Sequence, residues 1–210
     1  MTNILLADDH LMFREGLKQI LGRCADLRIA AEAGDGQEAL ELVRAGGIDA
    51  VVLDISMPGR SGFDVLVELK REYPDLPVLV LSMHPENQYA IRVLKAGASG
   101  YLTKESAADE LIAAIRKVAA GGRYVSASLA EKLADALVAP SSADPHQELS
   151  NREFQVLLML AQGRTLREMA DALLISEKTV TTYRARILEK LGLRNNAELT
   201  RYVIDHGLLP

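Results

Sequence analysis

The chain has 210 residues, 49% hydrophobic and 25% charged, with a formal net charge of −5, a globular composition long enough for two modest cores. Cys24 is the only cysteine, which excludes an internal disulfide, and no apolar run reaches the ~20 residues that a bilayer-spanning helix needs. No basic segment with an apolar stretch opens the chain, so a cytoplasmic setting without a membrane partner is expected.

In chain order, Asn3 to Ala7 is a short apolar strand that stops at Asp8-Asp9-His10, and a helical pattern through Leu11, Phe13, Leu17, Ile20 and Leu21 follows. Ile29 to Ala33 is a second strand, and Asp35 with Glu38 three residues on is a capping signature for the next helix. Ala50 to Leu53 reads as a strand buried on both faces; Asp54 closes it, and Met57-Pro58-Gly59 turns the chain. Phe63, Val65, Leu66 and Leu69 mark a third helix, Pro77 to Leu81 a fourth strand ending in Ser82, and Ile91, Leu94 and Lys95 a fourth helix. Ser99 to Leu102 is a brief fifth strand leading to Thr103-Lys104, and Ser106 with Asp109 is expected to cap a last helix ending at Gly121-Gly122.

Such alternation argues an α/β fold, a five-stranded parallel sheet with helices on both faces. Asp8, Asp9, Asp54, Ser82 and Lys104 all follow strands, so they fall on one edge, where open parallel sheets bind ligands. Three carboxylates this close need a counter-charge, and oxygen-only donors favour magnesium. A phosphoryl group on Asp54 would complete the metal's shell, with Ser82 donating to its oxygens and Lys104 pairing with them. The histidines His10, His84, His146 and His206 are scattered and make no metal-ligand spacing.

Residues 123–147 read as a linker with a helical piece around Leu129, Leu133 and Leu137, running into Ala139-Pro140-Ser141-Ser142-Ala143-Asp144-Pro145. From 148 to 210 only helices are expected, started by Ser150 with Glu153, Thr165 with Glu168, Ser176, and Asn195 with Glu198. Leu174-Ile175 makes a tight turn between helices at Leu166–Leu173 and Glu177–Leu191, the second carrying Lys178, Arg184, Arg186 and Lys190 within an acidic chain. That pairing fits a helix-turn-helix. Val180, Ile187, Leu188 and Leu191 define the buried face of its second helix; Lys178, Thr182, Ala185 and Glu189 lie opposite, flanked by Thr181 and Arg186.

The Asp8-Asp9 pair, Asp54 with Met57-Pro58-Gly59, Ser82, and Gly100-Tyr101-Leu102-Thr103-Lys104 resemble the receiver domain of two-component response regulators over residues 1–122. That resemblance implies a flavodoxin-like fold and phosphoryl transfer from a sensor histidine kinase to Asp54. It further implies magnesium ligated by Asp9, Asp54 and the Ser56 backbone carbonyl, with Asp8 holding it through water, and a switch pair of Ser82 and Tyr101. Ser56 and His84 match positions that tune dephosphorylation. Leu149 to Glu153, Ile175 to Val180 and Ile187 to Leu191 resemble the LuxR-type helix-turn-helix, and the two together resemble regulators of the NarL/FixJ type. Departures are Leu166 where Asn is frequent, Tyr183 where His is frequent, and Arg184 at a usually apolar site. By this resemblance Lys178, Thr179 and Lys190 position the DNA backbone, while Thr181, Thr182 and Ala185 face bases and Arg186 flanks them.

The expected function is a transcription regulator whose phosphorylation promotes a homodimer on promoter DNA with two half-sites. It is not expected to be an enzyme, apart from magnesium-dependent self-phosphorylation from a donor and slow self-dephosphorylation. The alternative is a phosphorylation-independent DNA-binding regulator that uses its receiver as a dimerisation scaffold; the complete set of acids, hydroxyl and lysine argues against it. A dehalogenase-type phosphatase would need an acid two residues beyond Asp54, where Ser56 stands.

Overall fold

The computed structural model describes residues 1–83, 88–138 and 145–208. His84, residues 139–144 and the side chains of Leu133 and Leu137 lie outside that description, with the expectations that fall on them. The chain divides into two compact units, Met1–Leu133 and Ala134–Pro210. No helix among the described residues is long and apolar enough to cross a membrane.

The first unit alternates β1 (Thr2–Ala7), α1 (Leu11–Leu21), β2 (Leu27–Ala33), α2 (Gly36–Ala45), β3 (Ala50–Asp54), α3 (Gly62–Glu72), β4 (Val78–Ser82), α4 (Gln88–Lys95), β5 (Gly100–Thr103) and α5 (Ala108–Ala119). All strand pairs are parallel, in the order β2-β1-β3-β4-β5. Every residue of β3 and β4 is buried, as near-continuous apolar strands of a doubly covered sheet must be. Alternate residues face opposite sides. Ile4, Leu6, Val52, Leu79, Leu81 and Leu102 join Leu17 and Leu21 of α1 and Leu111, Ile115 and Val118 of α5 in one core. The chain order reverses between β1 and β3, the crevice where such sheets bind ligands.

Asp35 caps α2 by accepting from the backbone N–H groups of Gln37 and Glu38 at 2.8 and 2.9 Å. The expected cap at Ser106 does not form. α5 begins one residue later, with Ala107 in the capping position and no side-chain cap. Ser106 is instead drawn into the turn after β5, its backbone N–H donating to the Thr103 carbonyl and its hydroxyl 3.3 Å from that of Thr103.

A helix α6 (Ala127–Val138) spans the division between the units. The second unit holds a 3-10 helix at Pro145–Glu148, then α7 (Asn151–Ala161), α8 (Leu166–Leu173), α9 (Glu177–Leu191) and α10 (Asn196–Asp205). Reciprocal capping boxes start α7 at Ser150/Glu153 and α8 at Thr165/Glu168; Ser176 and Asn195 cap α9 and α10. Phe154, Leu157, Met169, Leu173, Val180, Ile187, Leu199 and Val203 are buried in this unit. Leu174, at φ 51° and 69% exposed, closes α8 in the left-handed region that costs a side-chain-bearing residue about 1–2 kcal/mol. Its backbone makes the tight turn that aims α9 away from α8.

Candidate functional site

The carboxyl ends of β1, β3 and β5 bring acids and an amine together because each strand stops in register with its neighbours. Asp8 and Asp54 are 3% and 1% exposed. Between them sits the Lys104 ammonium, 2.7 Å from Oδ2 of each. The other Asp54 oxygen, Oδ1, accepts from the Ser56 backbone N–H at 3.0 Å. Lys104 reaches inward across the ring of Phe13, 4.8 Å from its centroid, so its apolar stem is covered while its charge stays in the site.

Burial pushes the Asp54 carboxyl above its ordinary value, against the opposing hydrogen bond and charge of Lys104 and the Ser56 N–H. For Lys104, burial alone would lower the ammonium, but hydrogen bonds to Asp54 and Asp8 outweigh it and leave it raised. The strand-end lysine opposes the burial that favours a neutral Asp54 without cancelling it, while the two acids more than cancel the burial that favours a neutral Lys104.

Asp9 and His10 are the exposed members of the cluster. Side-chain ligand atoms of Asp8, Asp9, His10 and Asp54 all lie within 4.8 Å of one another. Three carboxylates are hard oxygen donors of the kind a magnesium ion takes, so the donor set fits that metal. His10 was expected to be one of four unconnected histidines, yet its Nδ1 is 2.9 Å from Asp9 Oδ1 and 3.2 Å from Asp8 Oδ1. Its place directly after the acid pair at a strand end was the signal for it. Ring spacing along the chain carried none.

Ser82 ends β4 with no exposed surface, and Tyr101 of β5 is likewise fully buried. Ser82 pairs with Thr103 and Val80 with Tyr101, so Ser82 and Tyr101 lie on the same face of the sheet one step apart. The chain after β3 passes so close to Asp54 that only a glycine fits at Gly62, where a Cβ would stand 2.7 Å from the Ile55 Cα and 2.8 Å from the Asp54 carbonyl carbon. Both neighbours are backbone and cannot swing aside. Gly62→Ala is therefore expected to lose about 3 kcal/mol of stability, the upper end for overpacking, measured by urea unfolding; a loss under half that would mean the loop yields freely.

In the second unit, Lys178, Thr181, Thr182, Ala185 and Arg186 are exposed along α9. The Thr181 and Thr182 hydroxyls donate back to the Glu177 and Lys178 carbonyls at 2.9 and 3.0 Å, which turns their methyls and lone pairs outward. Thr179 and Lys190, expected at the DNA backbone, have partners inside the unit. Thr179 is half-buried with its hydroxyl 2.8 Å from that of Ser176, at the helix cap. Lys190 donates to Glu153 Oε2 at 2.7 Å, because that carboxylate is almost fully buried on α7 and needs a cation.

Burial alone would raise the Glu153 carboxyl, but the Lys190 ammonium and the Ser150 groups outweigh it and hold it low. A lowered folded pKa gives stability that is complete above the ordinary value of 4.5 and is lost as pH falls through the folded value. Lys190→Ala is expected to cost about 1 kcal/mol at neutral pH, since its ammonium is partly screened by solvent. It should also shrink this acid-side loss, because the Ser150 groups alone are then left to oppose burial. Thermal unfolding as a function of pH checks both; an unchanged acid limb would dismiss the pair as a stabilising contact.

Residues 4–116 match the family model described as "Response regulator receiver domain", and residues 147–203 match "Bacterial regulatory proteins, luxR family". The chain is 37% identical to the response regulator UvrY of Escherichia coli strain K12 over 99% of this chain and 96% of that protein. It is 37% identical to the response regulator GacA of Pseudomonas aeruginosa over 100% of this chain and 98% of that one. A solved structure of RcsB from Salmonella enterica serovar Typhimurium, bound to promoter rprA in the presence of the phosphomimetic BeF3−, superposes with a TM-score of 0.67 at 27% identity, covering 97% of this chain and 99% of that one.

Proposed function

The chain belongs to the two-component response regulators that join a receiver domain to a LuxR-type DNA-binding domain, and we propose that phosphorylation of Asp54 gates its dimerisation on promoter DNA. The observation that carries this reading is the Asp8–Lys104–Asp54 bridge, a buried carboxylate held beside a hard-donor cluster.

An Asp54 oxygen attacks the phosphorus of a phosphohistidine on the sensor kinase; the new O–P bond forms as the P–N bond breaks, and the imidazole leaves with the electron pair. Asp9, Asp54 and the Ser56 carbonyl would hold magnesium, with Asp8 acting through water. When bound, magnesium supplies positive charge beside the transferring phosphoryl oxygens. Lys104 exchanges its hold on the Asp54 carboxylate for one on the new phosphoryl oxygens, and the Ser82 hydroxyl donates to them. Tyr101, on the same sheet face as Ser82, carries that change toward α4. No acid stands two residues beyond Asp54, so water attack on the acyl phosphate is slow and the chain is not a turnover enzyme. Leu11, Met12 and Met83 are 59%, 88% and 60% exposed around this edge, an apolar rim on which a kinase domain in the cytoplasm can dock.

The exposed face of α9 enters the major groove, with Thr181, Thr182 and Ala185 at base edges and Lys178 and Arg186 at phosphates. A single small module binds weakly, so two copies on a two-fold site are needed. The test is the oligomeric mass of the full chain with magnesium, with and without beryllofluoride. A shift to dimer supports gating. A fixed mass with unchanged promoter affinity would favour the receiver as a constant dimerisation scaffold.

A further inference from the structure

Beside the reading face of α9 lies a cleft of about 290 Å³ lined by Arg164, Leu166, Met169, Thr181, Arg184 and Asn196, with no acidic side chain in its lining. Arg184 is half-buried there. Its Nε donates to the Asn196 Oδ1 at 2.6 Å, and its two terminal amino groups have no other hydrogen-bond or ion-pair partner among the described residues.

We propose that this cleft seats a phosphate of the DNA backbone, with Arg184 as the binding group and Asn196, at the start of α10, as the residue that positions it. The proposal rests on α9 being the recognition helix. A guanidinium pinned at Nε presents its two remaining amino groups as a flat fork, the geometry that takes two phosphate oxygens at once. An arginine used only to tie α9 to α10 would leave those donors half-desolvated without an acceptor, a cost that a phosphate removes. Arg164 adds a second positive charge to the cleft, which Thr181 also lines.

Helix geometry places this seat. At 100° per residue, Arg184 lies about 60° to one side of Thr181, whereas Arg186 lies about 40° beyond Thr182 on the other side. A helix in the major groove, about 12 Å wide, has a phosphate strand along each flank. Arg186 meets one strand and Arg184 the other, so the helix is held from both sides and cannot roll about its axis. That fixes which residues of α9 reach bases.

The experiment titrates the full chain with a fluorescent random-sequence duplex over a range of salt concentrations. Arg184→Gln, which keeps a polar side chain beside Asn196 but loses the charge, is expected to bind several-fold more weakly and to flatten the log K against log salt slope by about 0.9 per bound chain. Arg184→Ala should do the same. Asn196→Ala should weaken binding with unchanged thermal stability, and should add nothing in the Arg184→Gln background. A slope unchanged in both Arg184 variants overturns the phosphate seat, and additive losses overturn the positioning role. Lys178→Ala separates the causes: if it flattens the slope and Arg184 does not, the seat alone fails; if neither does, α9 is not the DNA-facing helix.

Discussion

Asp54→Asn is expected to take up no phosphoryl group from a small phosphodonor and to show no change of oligomeric mass with donor, while staying folded. The amide nitrogen and oxygen of Asn are not nucleophiles toward phosphorus, and no other acid replaces the one lost. Asp8 is bridged by Lys104 and bent back to the His10 N–H at 2.8 Å, and Asp9 lies on the exposed side. The fold survives because Asn has the same shape, can still accept from the Ser56 N–H, and leaves Lys104 its pair with Asp8. Stability without divalent cations is expected to rise. Burial raises the folded pKa of Asp54, so at neutral pH its ionised form is worse off folded than unfolded, and Asn removes that deficit. Intact-mass spectrometry reads the phosphoryl group, and light scattering reads the dimer. Phosphoryl uptake by the Asn variant at the wild-type level would show that another residue is the acceptor.

Much of this architecture is legible because its determinants are local. Ser150 and Glu153, or Thr165 and Glu168, stand three residues apart, so the caps that start α7 and α8 can be read directly from the chain. The buried strands β3 and β4 announce themselves as unbroken apolar runs, and an acid or hydroxyl where each run stops falls on the ligand edge by the geometry of a parallel sheet. What could not be read is pairing across distance. Lys190 and Glu153 are 37 residues apart, so nothing local announces their ion pair, and a lysine on a basic helix reads only as an expected phosphate contact. Arg184 and Asn196 meet across a helix boundary for the same reason. Ser106 shows the converse error: the local capping signal was present, but the Thr103 turn competed for the same hydroxyl and the helix began without it.

Lys104→Met carries the second large effect, because it keeps the apolar stem over Phe13 and deletes only the charge. Wild-type Lys104 is 2.7 Å from both Asp8 and Asp54, with side-chain exposures of 5%, 5% and 0% for Lys104, Asp8 and Asp54. Removing one partner of a buried ion pair costs about 3–5 kcal/mol, since the remaining charge is left uncompensated. Here two carboxylates remain, and they also repel each other. Protonation of one limits the damage, so a loss of about 3 kcal/mol in the presence of a chelator is expected. Magnesium should recover most of it, because a divalent ion at Asp9 and Asp54 replaces the missing charge and binds only the folded state. The same variant should accept a phosphoryl group slowly and fail to dimerise, since no ammonium is left at the end of β5 to draw the phosphoryl oxygens that way. Urea unfolding with chelator and with magnesium measures the first effect, and mass analysis with donor measures the second. Equal stability of wild type and Lys104→Met in chelator would mean that the two carboxylates are not held as an ionised pair, and phosphorylation-induced dimerisation in the variant would remove Lys104 from the switch.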